Sequence, residues 1–519
     1  MNLPNSSAFN KRFLTKENIL LLATLLFLIK ILYYHLRLIM YSLPTEYREG
    51  AMLISTGMIS KGLNPYNFSS HPYSTNVYGV LYNYMVAPFA LIFGNTLVIH
   101  KAISAVCAFF SSFVFYKILI KEQIKPMLAI TAVTMFYFAI LYSVTSLVRP
   151  DILGLLFMFL TIYIVTSGEY SWRSILLAPI LTILCFYTKP YFIIGYLFIV
   201  FYLFLFVSKK KAISSFFFFL GLLTISVVVI NHYYEAYLYD TIITNIDSTS
   251  KDYYHMYDQL VYFSRHSPGL LILLVYFVFQ SFFSTSSRHL AQRSMNISFF
   301  NSNKGFFPSI TISFWRYAFV LSLLVFIFLL GPHKGATMTY LYQLFFPFFL
   351  IVVFDKINRS NFNWITAFLL FISIVTIAWP YSWHKLNYKE EKDWTTIKKT
   401  IQNRDNILAS PAVSPILLEM GKKVYDGGQE QFFVEAAHHD FPLFTSETAK
   451  ARAVSNSYCN EIKESLLQKK FDLALLPNEN SWLVESAWIT ENYIATDSVL
   501  LFMPHTNEEF KLLIWKPKK

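Results

Sequence analysis

Long apolar runs separated by short polar segments fill the first 381 residues of the chain. A helix needs roughly 20 apolar residues to cross the ~30 Å hydrocarbon core of a bilayer. The pattern therefore predicts about eleven transmembrane helices, at residues 19–40, 96–117, 127–146, 152–168, 173–188, 190–208, 212–231, 268–285, 314–331, 337–354 and 363–381. One more apolar run, 77–93, is only about 17 residues long and contains Asn83 and Pro88, so its length leaves open whether it crosses.

The distribution of Lys and Arg decides the side of each loop, because cytoplasmic loops retain an excess of positive charge. If 77–93 lies along the outer surface, the cytoplasmic segments contain 15 Lys and Arg residues and the outer loops contain 7. If 77–93 crosses, every later loop changes side and the bias reverses. The sequence thus predicts a cytoplasmic N-terminus, a surface helix at 77–93 and a C-terminal tail outside the membrane.

The composition agrees with a membrane protein. Only 14% of the 519 residues are charged and 55% are hydrophobic, whereas a soluble domain is about a quarter charged. The net charge of +12 is explained by retained cytoplasmic Lys and Arg, so we predict no nucleic-acid partner. The three cysteines form no CxxC motif, and no small-residue cleavage site follows the first apolar run. We therefore expect neither a disulfide framework nor a cleaved signal peptide.

The composition changes after residue 381, where the chain becomes charged and mixed. Short β-like runs lie at 406–409, 423–425, 472–476, 498–503 and 510–515, and helical patterns lie at 414–421 and 460–469. This alternation predicts a small soluble α/β domain. The predicted fold class is an α-helical polytopic membrane protein with outer juxtamembrane helices and a C-terminal α/β domain. Its two parts are a transmembrane module, 1–381, and an extracytoplasmic domain, 382–519.

With this topology, the unusual polar residues gather at the outer surface of the membrane. The first outer loop reads Thr45-Glu46-Tyr47-Arg48-Glu49-Gly50-Ala51-Met52, and three later outer segments read Arg149-Pro150-Asp151, Thr188-Lys189-Pro190 and Gly331-Pro332-His333-Lys334-Gly335. Any single member of this set reads equally well as a solvated loop charge. The whole set on one surface indicates a reaction or binding site there.

These segments, in their order, resemble the GT-C membrane glycosyltransferases, in particular the bacterial branch related to the aminoarabinose and protein O-mannosyl transferases. The resemblance also includes Gly62-x-Asn64-Pro65-Tyr66, Phe93-Gly94-Asn95 and Gly335-Ala336-Thr337-Met338-Thr339-Tyr340, and it covers most of residues 40–345. It implies a polyprenyl-phosphate sugar as donor and an extracytoplasmic glycan, lipid or protein as acceptor. It also implies an inverting transfer at the bacterial inner membrane. No cofactor is certain, and a divalent metal ion stays open because relatives differ.

The same resemblance implies that an acidic residue of the first outer loop is the catalytic base. Many relatives have adjacent Asp and Glu there, whereas this chain has Glu46 and Glu49, three positions apart. Positions i and i+3 share a face on a helix, so both acids can face one reaction centre. We take Glu46 as the first candidate base, and Glu49 as the second candidate or as a metal or acceptor ligand.

The chemistry needs one base and a cluster of fixed positive charges. A phosphate leaves as an anion without protonation, so a base for the acceptor hydroxyl and cations for the departing phosphate are sufficient. Lys189, Arg149, His333 and Lys334 are the candidate ligands of the donor phosphate. Asp151, Tyr66 and Tyr340 are further site candidates.

Two other classes of function stay open at this point. A transporter or lipid flippase usually carries ionisable residues at the membrane midplane, whereas the acids here lie at one surface. An O-antigen ligase or polymerase is also polytopic but usually lacks an acidic first loop. His438-His439-Asp440 is a weak metal motif, Asp426-Gly427-Gly428 reads as a turn, and the acids of segment 233–267 read as solvated surface or as substrate contacts.

Overall fold

The computed structural model describes residues 15–141, 148–247, 251–283, 313–333, 339–360, 362–378, 388–442, 444–477, 481–503 and 508–519. Helices make up the described chain as far as residue 378. They are α1 Lys16–Met40, α2 Glu49–Ser60, α3 Leu81–Phe93, α4 Leu97–Lys121, α5 Pro126–Ile140, α6 Asp151–Ser167, α7 Trp172–Phe186, α8 Ile193–Tyr202, α9 Lys209–Tyr233, α10 Tyr253–His266, α11 Pro268–Phe283, α12 Phe314–Val325, α13 Phe346–Arg359 and α14 Trp364–Ala378. Short helical turns are Phe68–Ser70, Pro190–Phe192, Leu203–Val207, Tyr239–Ile243, Thr244–Asp247, Phe326–Leu330 and Leu341–Phe345.

Several of these helices can cross a membrane. Five are long and apolar enough within the described ranges: Lys16–Met40, Leu97–Lys121, Pro190–Val207, Lys209–Tyr233 and Leu341–Arg359. The pair α10 and α11, bent by 89°, would make a sixth, and six shorter apolar helices accompany them. Large side chains such as Ile29 in α1, Phe217 in α9 and Ile365 in α14 are exposed, as lipid-facing residues are. The chain is thus a polytopic membrane protein, and the number of about eleven spans stays a prediction.

The run 77–93 yields α3, a helix of 13 residues. At 1.5 Å per residue it is about 20 Å long, shorter than the ~30 Å hydrocarbon core. One side of α3 is buried and holds Tyr82 and Asn83, while Leu91 and Ile92 are exposed. The position of α3 along the membrane surface stays a prediction.

The chain beyond residue 387 contains a four-stranded sheet. The strands are β1 Ile407–Ala409, β2 Leu473–Leu476, β3 Tyr493–Met503 and β4 Glu508–Pro517, in the order β1-β2-β4-β3. The β1–β2 pair is parallel, with Ile407 opposite Leu473, and the β2–β4 and β3–β4 pairs are antiparallel. The helices are α15 Tyr388–Gln402, α16 Ser414–Glu419, α17 Glu430–Ala437, α18 Thr445–Leu467 and α19 Ser486–Asn492, with a helical turn at Pro411–Val413.

Alternation along the strands places helices on both faces of this sheet. Ile407 and Leu473 pack on one face with Trp394 of α15, whereas Leu408 and Ala474 pack on the other with α18. Four of the five β-like runs of the sequence lie in these strands. The prediction of a strand at 423–425 is wrong, because these residues form no strand and precede the turn at Asp426. The boundary between two domains at residue 381 stays a prediction.

The C-terminal part packs directly on the first outer loop. The Ala51 amide donates to the carbonyl of Gly427 (2.8 Å), and the Val77 amide donates to Oε1 of Gln429 (2.6 Å). The ring of Phe433 lies 4.7 Å from that of His71 between centroids. The segment 426–433 therefore helps to fix the loop that carries Glu46 and Glu49.

Candidate functional site

A cavity of about 580 Å³ lies where the predicted outer segments of the chain meet. Four cationic residues and one histidine line it: Arg48, Arg149, Lys189, Lys251 and His333. Among the described residues, no Asp or Glu is part of its lining. The charged side chains of the lining are thus all basic, and an anion such as a phosphate is a complementary ligand for them.

Glu46 lies behind this lining, in the turn that precedes α2, and is 2% exposed. The guanidinium of Arg149 donates to both of its carboxylate oxygens, from Nε to Oε2 at 3.1 Å and from Nη2 to Oε1 at a shorter distance. Nε of Arg48 lies 3.9 Å from Oε1. Two residues of the cavity wall thus hold the carboxylate of Glu46 in place.

Glu49 is the first residue of α2 and is fully buried. Its carboxyl accepts from the backbone amide of Thr45 (2.8 Å) and from Oγ1 of Thr45 (2.6 Å). Burial raises the pKa of Glu49, although the charge of Lys101 and the Thr45 hydrogen bonds lower it in part. The expectation that both acids share a helix face is wrong, because α2 begins at Glu49 and Glu46 precedes it. Glu49 closes the turn. Among the described residues, it forms no hydrogen bond with a cation of the cavity wall.

A second acid–cation pair lies beside the first. Asp151 begins α6 and is fully buried, and its Oδ1 accepts from Nζ of Lys189 (2.7 Å) and from the hydroxyl of Tyr191 (3.0 Å). Nζ of Lys189 also lies 4.5 Å from the ring centroid of Tyr78. Asp151 therefore positions Lys189 at the wall of the cavity.

Residues 71–234 match the family model described as dolichyl-phosphate-mannose-protein mannosyltransferase. This family belongs to the GT-C superfamily of membrane glycosyltransferases, so the match confirms the resemblance. It supports a membrane glycosyltransferase of the GT-C type for this chain. No curated protein matches the chain.

The segment that matches the mannosyltransferase family contains much of the cavity wall. Tyr78, Arg149 and Lys189 lie within it, whereas the first outer loop with Glu46 precedes it. The candidate acids of the first loop are thus joined to the matched segment by the Glu46–Arg149 ion pair.

Three of the other sequence candidates are described, and two of them line the cavity. Tyr340 lines it, with its ring 4.8 Å from that of Tyr191 between centroids. His333 lines it and forms an antiparallel bridge with Lys251. Tyr66 does not line it, since its buried hydroxyl donates to the carbonyl of Tyr78 (2.7 Å). Lys334 lies outside the described residues.

The acids and histidines of the weaker motifs are not among the described residues that line this cavity. Asp240 is buried against His71 (2.7 Å), and Asp252 accepts from the amide of Tyr254 at the start of α10. Asp440 pairs with Arg452 at 2.8 Å. Among the residues that the structure describes, no group of three His, Cys, Asp or Glu side chains could hold a metal ion.

The structure also adds residues that sequence reasoning missed. Tyr78, Lys251 and Phe432 line the cavity together with the predicted residues. Phe432 comes from α17, and the guanidinium carbon of Arg48 lies 5.2 Å from its ring centroid. No local motif marks these positions. Lys251 is the exception, because a positive charge within the acid-rich segment 233–267 could have indicated a binding residue.

Proposed function

We propose that this protein transfers a sugar from a polyprenyl-phosphate donor to a hydroxyl group of an extracytoplasmic acceptor, with inversion at the anomeric carbon. The observation that supports this proposal is a cavity lined by cations, with the carboxylate of Glu46 held against two of them. The match to a mannosyltransferase family adds a lipid-linked sugar as the class of donor.

The charges of the cavity suit the course of this reaction. The phosphodiester of the donor carries one negative charge, and the departing polyprenyl phosphate gains a second one. Lys189, Arg149, Lys251 and His333 therefore interact more strongly with the transition state than with the bound donor, which is the condition for catalysis. Lys334 stays in the proposal as a further phosphate ligand on the grounds of sequence alone.

Glu46 is the proposed base. It accepts the proton of the acceptor hydroxyl while that oxygen attacks the anomeric carbon, and the bond from this carbon to the phosphate oxygen breaks. Attack from the face opposite the phosphate inverts the anomeric carbon. The contacts favour Glu46 over Glu49, because Glu46 pairs with Arg48 and Arg149 of the cavity wall, whereas Glu49 accepts hydrogen bonds from Thr45, which does not line the cavity.

The substitution Glu46→Gln tests the base. Glutamine keeps the shape of the side chain but cannot take up a proton at neutral pH, so turnover should fall by about 10²- to 10⁴-fold. The measurement is sugar release from dolichyl-phosphate mannose and from other polyprenyl-phosphate sugars by the purified protein. Donor affinity should change little, because Lys189 and the other lining cations remain.

Glu49→Gln is the matched control. It should lower the thermal unfolding midpoint, because the Thr45 hydrogen bonds weaken, and leave turnover of the folded protein within tenfold of the unmodified chain. A larger loss of turnover in Glu49→Gln than in Glu46→Gln would move the base to Glu49. If neither substitution slows sugar release tenfold, the first outer loop does not contain the base and the transporter interpretation becomes preferable.

A further inference from the structure

Tyr78 lines the cavity and has a buried hydroxyl group without a hydrogen-bond partner among the described residues. The residue lines the cavity and is 3% exposed. Within the described part of the chain, no group forms a hydrogen bond with this buried hydroxyl. Most buried hydroxyl groups are hydrogen-bonded in native proteins, and an unpaired one costs free energy. A bound ligand is the natural partner for a hydroxyl in this place.

The backbone around Tyr78 holds its ring in position. The Tyr78 amide donates to Oδ1 of Asn76 (3.0 Å), and its carbonyl accepts from the Tyr66 hydroxyl (2.7 Å). The next residue, Gly79, donates to the carbonyl of Thr188 (3.0 Å). A Cβ atom built on Gly79 would overlap the carbonyl of Tyr187. The segment around Gly79 therefore approaches the segment at 187–188 as closely as a glycine permits. Tyr78 is thereby tied to the connection that carries Lys189.

The surroundings of the hydroxyl are cationic. Nζ of Lys189 lies 4.5 Å from the ring centroid, and Arg48 and Arg149 line the same cavity. Burial raises the pKa of Tyr78, but the charges of Arg149, Arg48 and Lys189 together lower it below its ordinary value. A more acidic phenol is a stronger hydrogen-bond donor to an anion. Nε of Arg48 likewise has no hydrogen-bond partner within the described residues.

We propose that Tyr78 is a catalytic residue whose hydroxyl donates a hydrogen bond to a phosphate oxygen of the lipid-linked donor. This inference rests on the proposed function. No proton is transferred: the hydrogen bond is present in the bound donor and strengthens as the sugar–phosphate bond breaks and the phosphate gains charge. Lys189, held by Asp151, and the hydroxyl of Tyr78 then bind the same phosphate from neighbouring directions.

Tyr78→Phe tests this assignment, because it removes the hydroxyl and keeps the ring beneath Lys189. Two quantities are measured: the affinity for a polyprenyl phosphate without sugar, and the turnover of dolichyl-phosphate mannose. Hydrogen bonds to charged groups are strong enough that affinity should fall roughly 10- to 100-fold. Turnover should fall at least as far. Tyr237→Phe is the control, since Tyr237 is fully buried but does not line the cavity, and both quantities should stay within about twofold.

Replacing Tyr78 with a fluorotyrosine provides a second variant that keeps the hydroxyl and makes it more acidic. Affinity for the polyprenyl phosphate should then rise, and a fall in affinity would contradict the proposal. Lys189→Ala separates the two proposals. If Lys189→Ala weakens phosphate binding and Tyr78→Phe does not, the role of Tyr78 is wrong and the proposed function stands.

Two further outcomes would contradict the proposals, one in part and one entirely. If Tyr78→Phe lowers turnover but not phosphate affinity, the hydroxyl contacts the sugar or the acceptor, and its assignment to the phosphate is wrong. If the unmodified protein binds no polyprenyl phosphate, the proposed function itself fails, and the inference about Tyr78 fails with it.

Discussion

The turn Asp426-Gly427-Gly428 presses against the segment that carries Glu46, and this contact allows a sharp test of how the site is positioned. The φ angle of Gly428 is +105°, and a Cβ atom built there would overlap the carbonyl oxygen of Tyr47 and lie 3.1 Å from Cα of Arg48. The substitution Gly428→Ala therefore has to displace residues 47 and 48. Because contacts of a Cβ atom below 3.0 Å are essentially never seen, the displacement is on the order of an ångström.

Such a displacement should reduce turnover as well as stability. Overpacking typically costs about 1–3 kcal/mol, and a left-handed backbone costs an L-residue about 1–2 kcal/mol. A misplacement of about 1 Å can slow a positioned reaction by roughly 10²-fold. We therefore expect a 10- to 100-fold loss of turnover in Gly428→Ala, measured as sugar release at saturating dolichyl-phosphate mannose, in a protein that still unfolds cooperatively.

Gly421→Ala is the matched control for the backbone conformation. Gly421 also has a positive φ angle, +68°, but nothing lies within 4 Å of a Cβ atom built there. Gly421→Ala should lose a similar amount of stability through its backbone conformation. Its turnover should stay within about twofold of the unmodified chain. Combining Gly428→Ala with Glu46→Gln should give less than the product of the two losses, since both act on one base. Equal losses of turnover in the two alanine variants would refute the reasoning.

Two further predictions concern pH and topology. Burial and the neighbouring Asp426 raise the pKa of Glu430 well above its ordinary value of 4.5, and Tyr458 is the other titratable group facing this pair. The proton bound to Glu430 stabilises the folded chain. This stabilisation is complete below pH 4.5 and is lost as the pH rises through the raised pKa of Glu430. The thermal unfolding midpoint should thus fall with increasing pH more steeply in the unmodified chain than in Glu430→Gln, and equal slopes would contradict this. In chains without native cysteines, an impermeant maleimide should label Lys519→Cys in intact cells and Lys210→Cys only after permeabilisation; the opposite pattern would reverse the topology.

Long apolar helices could be predicted well, because their length is a consequence of bilayer thickness. A run of about 20 apolar residues has few alternatives in lipid, so the predicted span 212–231 lies within α9, Lys209–Tyr233. The strand prediction at 423–425 failed for the opposite reason. A run of three residues contains too little alternation to identify a strand, and the neighbouring turn determines the conformation there.

The candidate site could be predicted in part, because its charged residues come from segments that the sequence assigns to one side of the membrane. Glu46, Arg149, Asp151 and Lys189 lie together, as the predicted topology requires. Which of these acids pairs with which cation could not be predicted, since the pairing depends on tertiary packing between distant segments. The same applies to Tyr78 and Phe432, which reach the cavity through contacts with the segments at 187–188 and 47–48.

Arg149 joins the two halves of the proposed reaction. Its guanidinium binds both oxygens of Glu46 and also lines the cavity that we assign to the donor phosphate. A carboxylate paired with an arginine is a weaker base than a free one, because the positive charge stabilises its ionised form. When a donor phosphate lies beside Arg149, the two anions share one cation and the carboxylate gains basicity. In the mechanism that we propose, Glu46 is therefore a stronger base with the donor bound than without it.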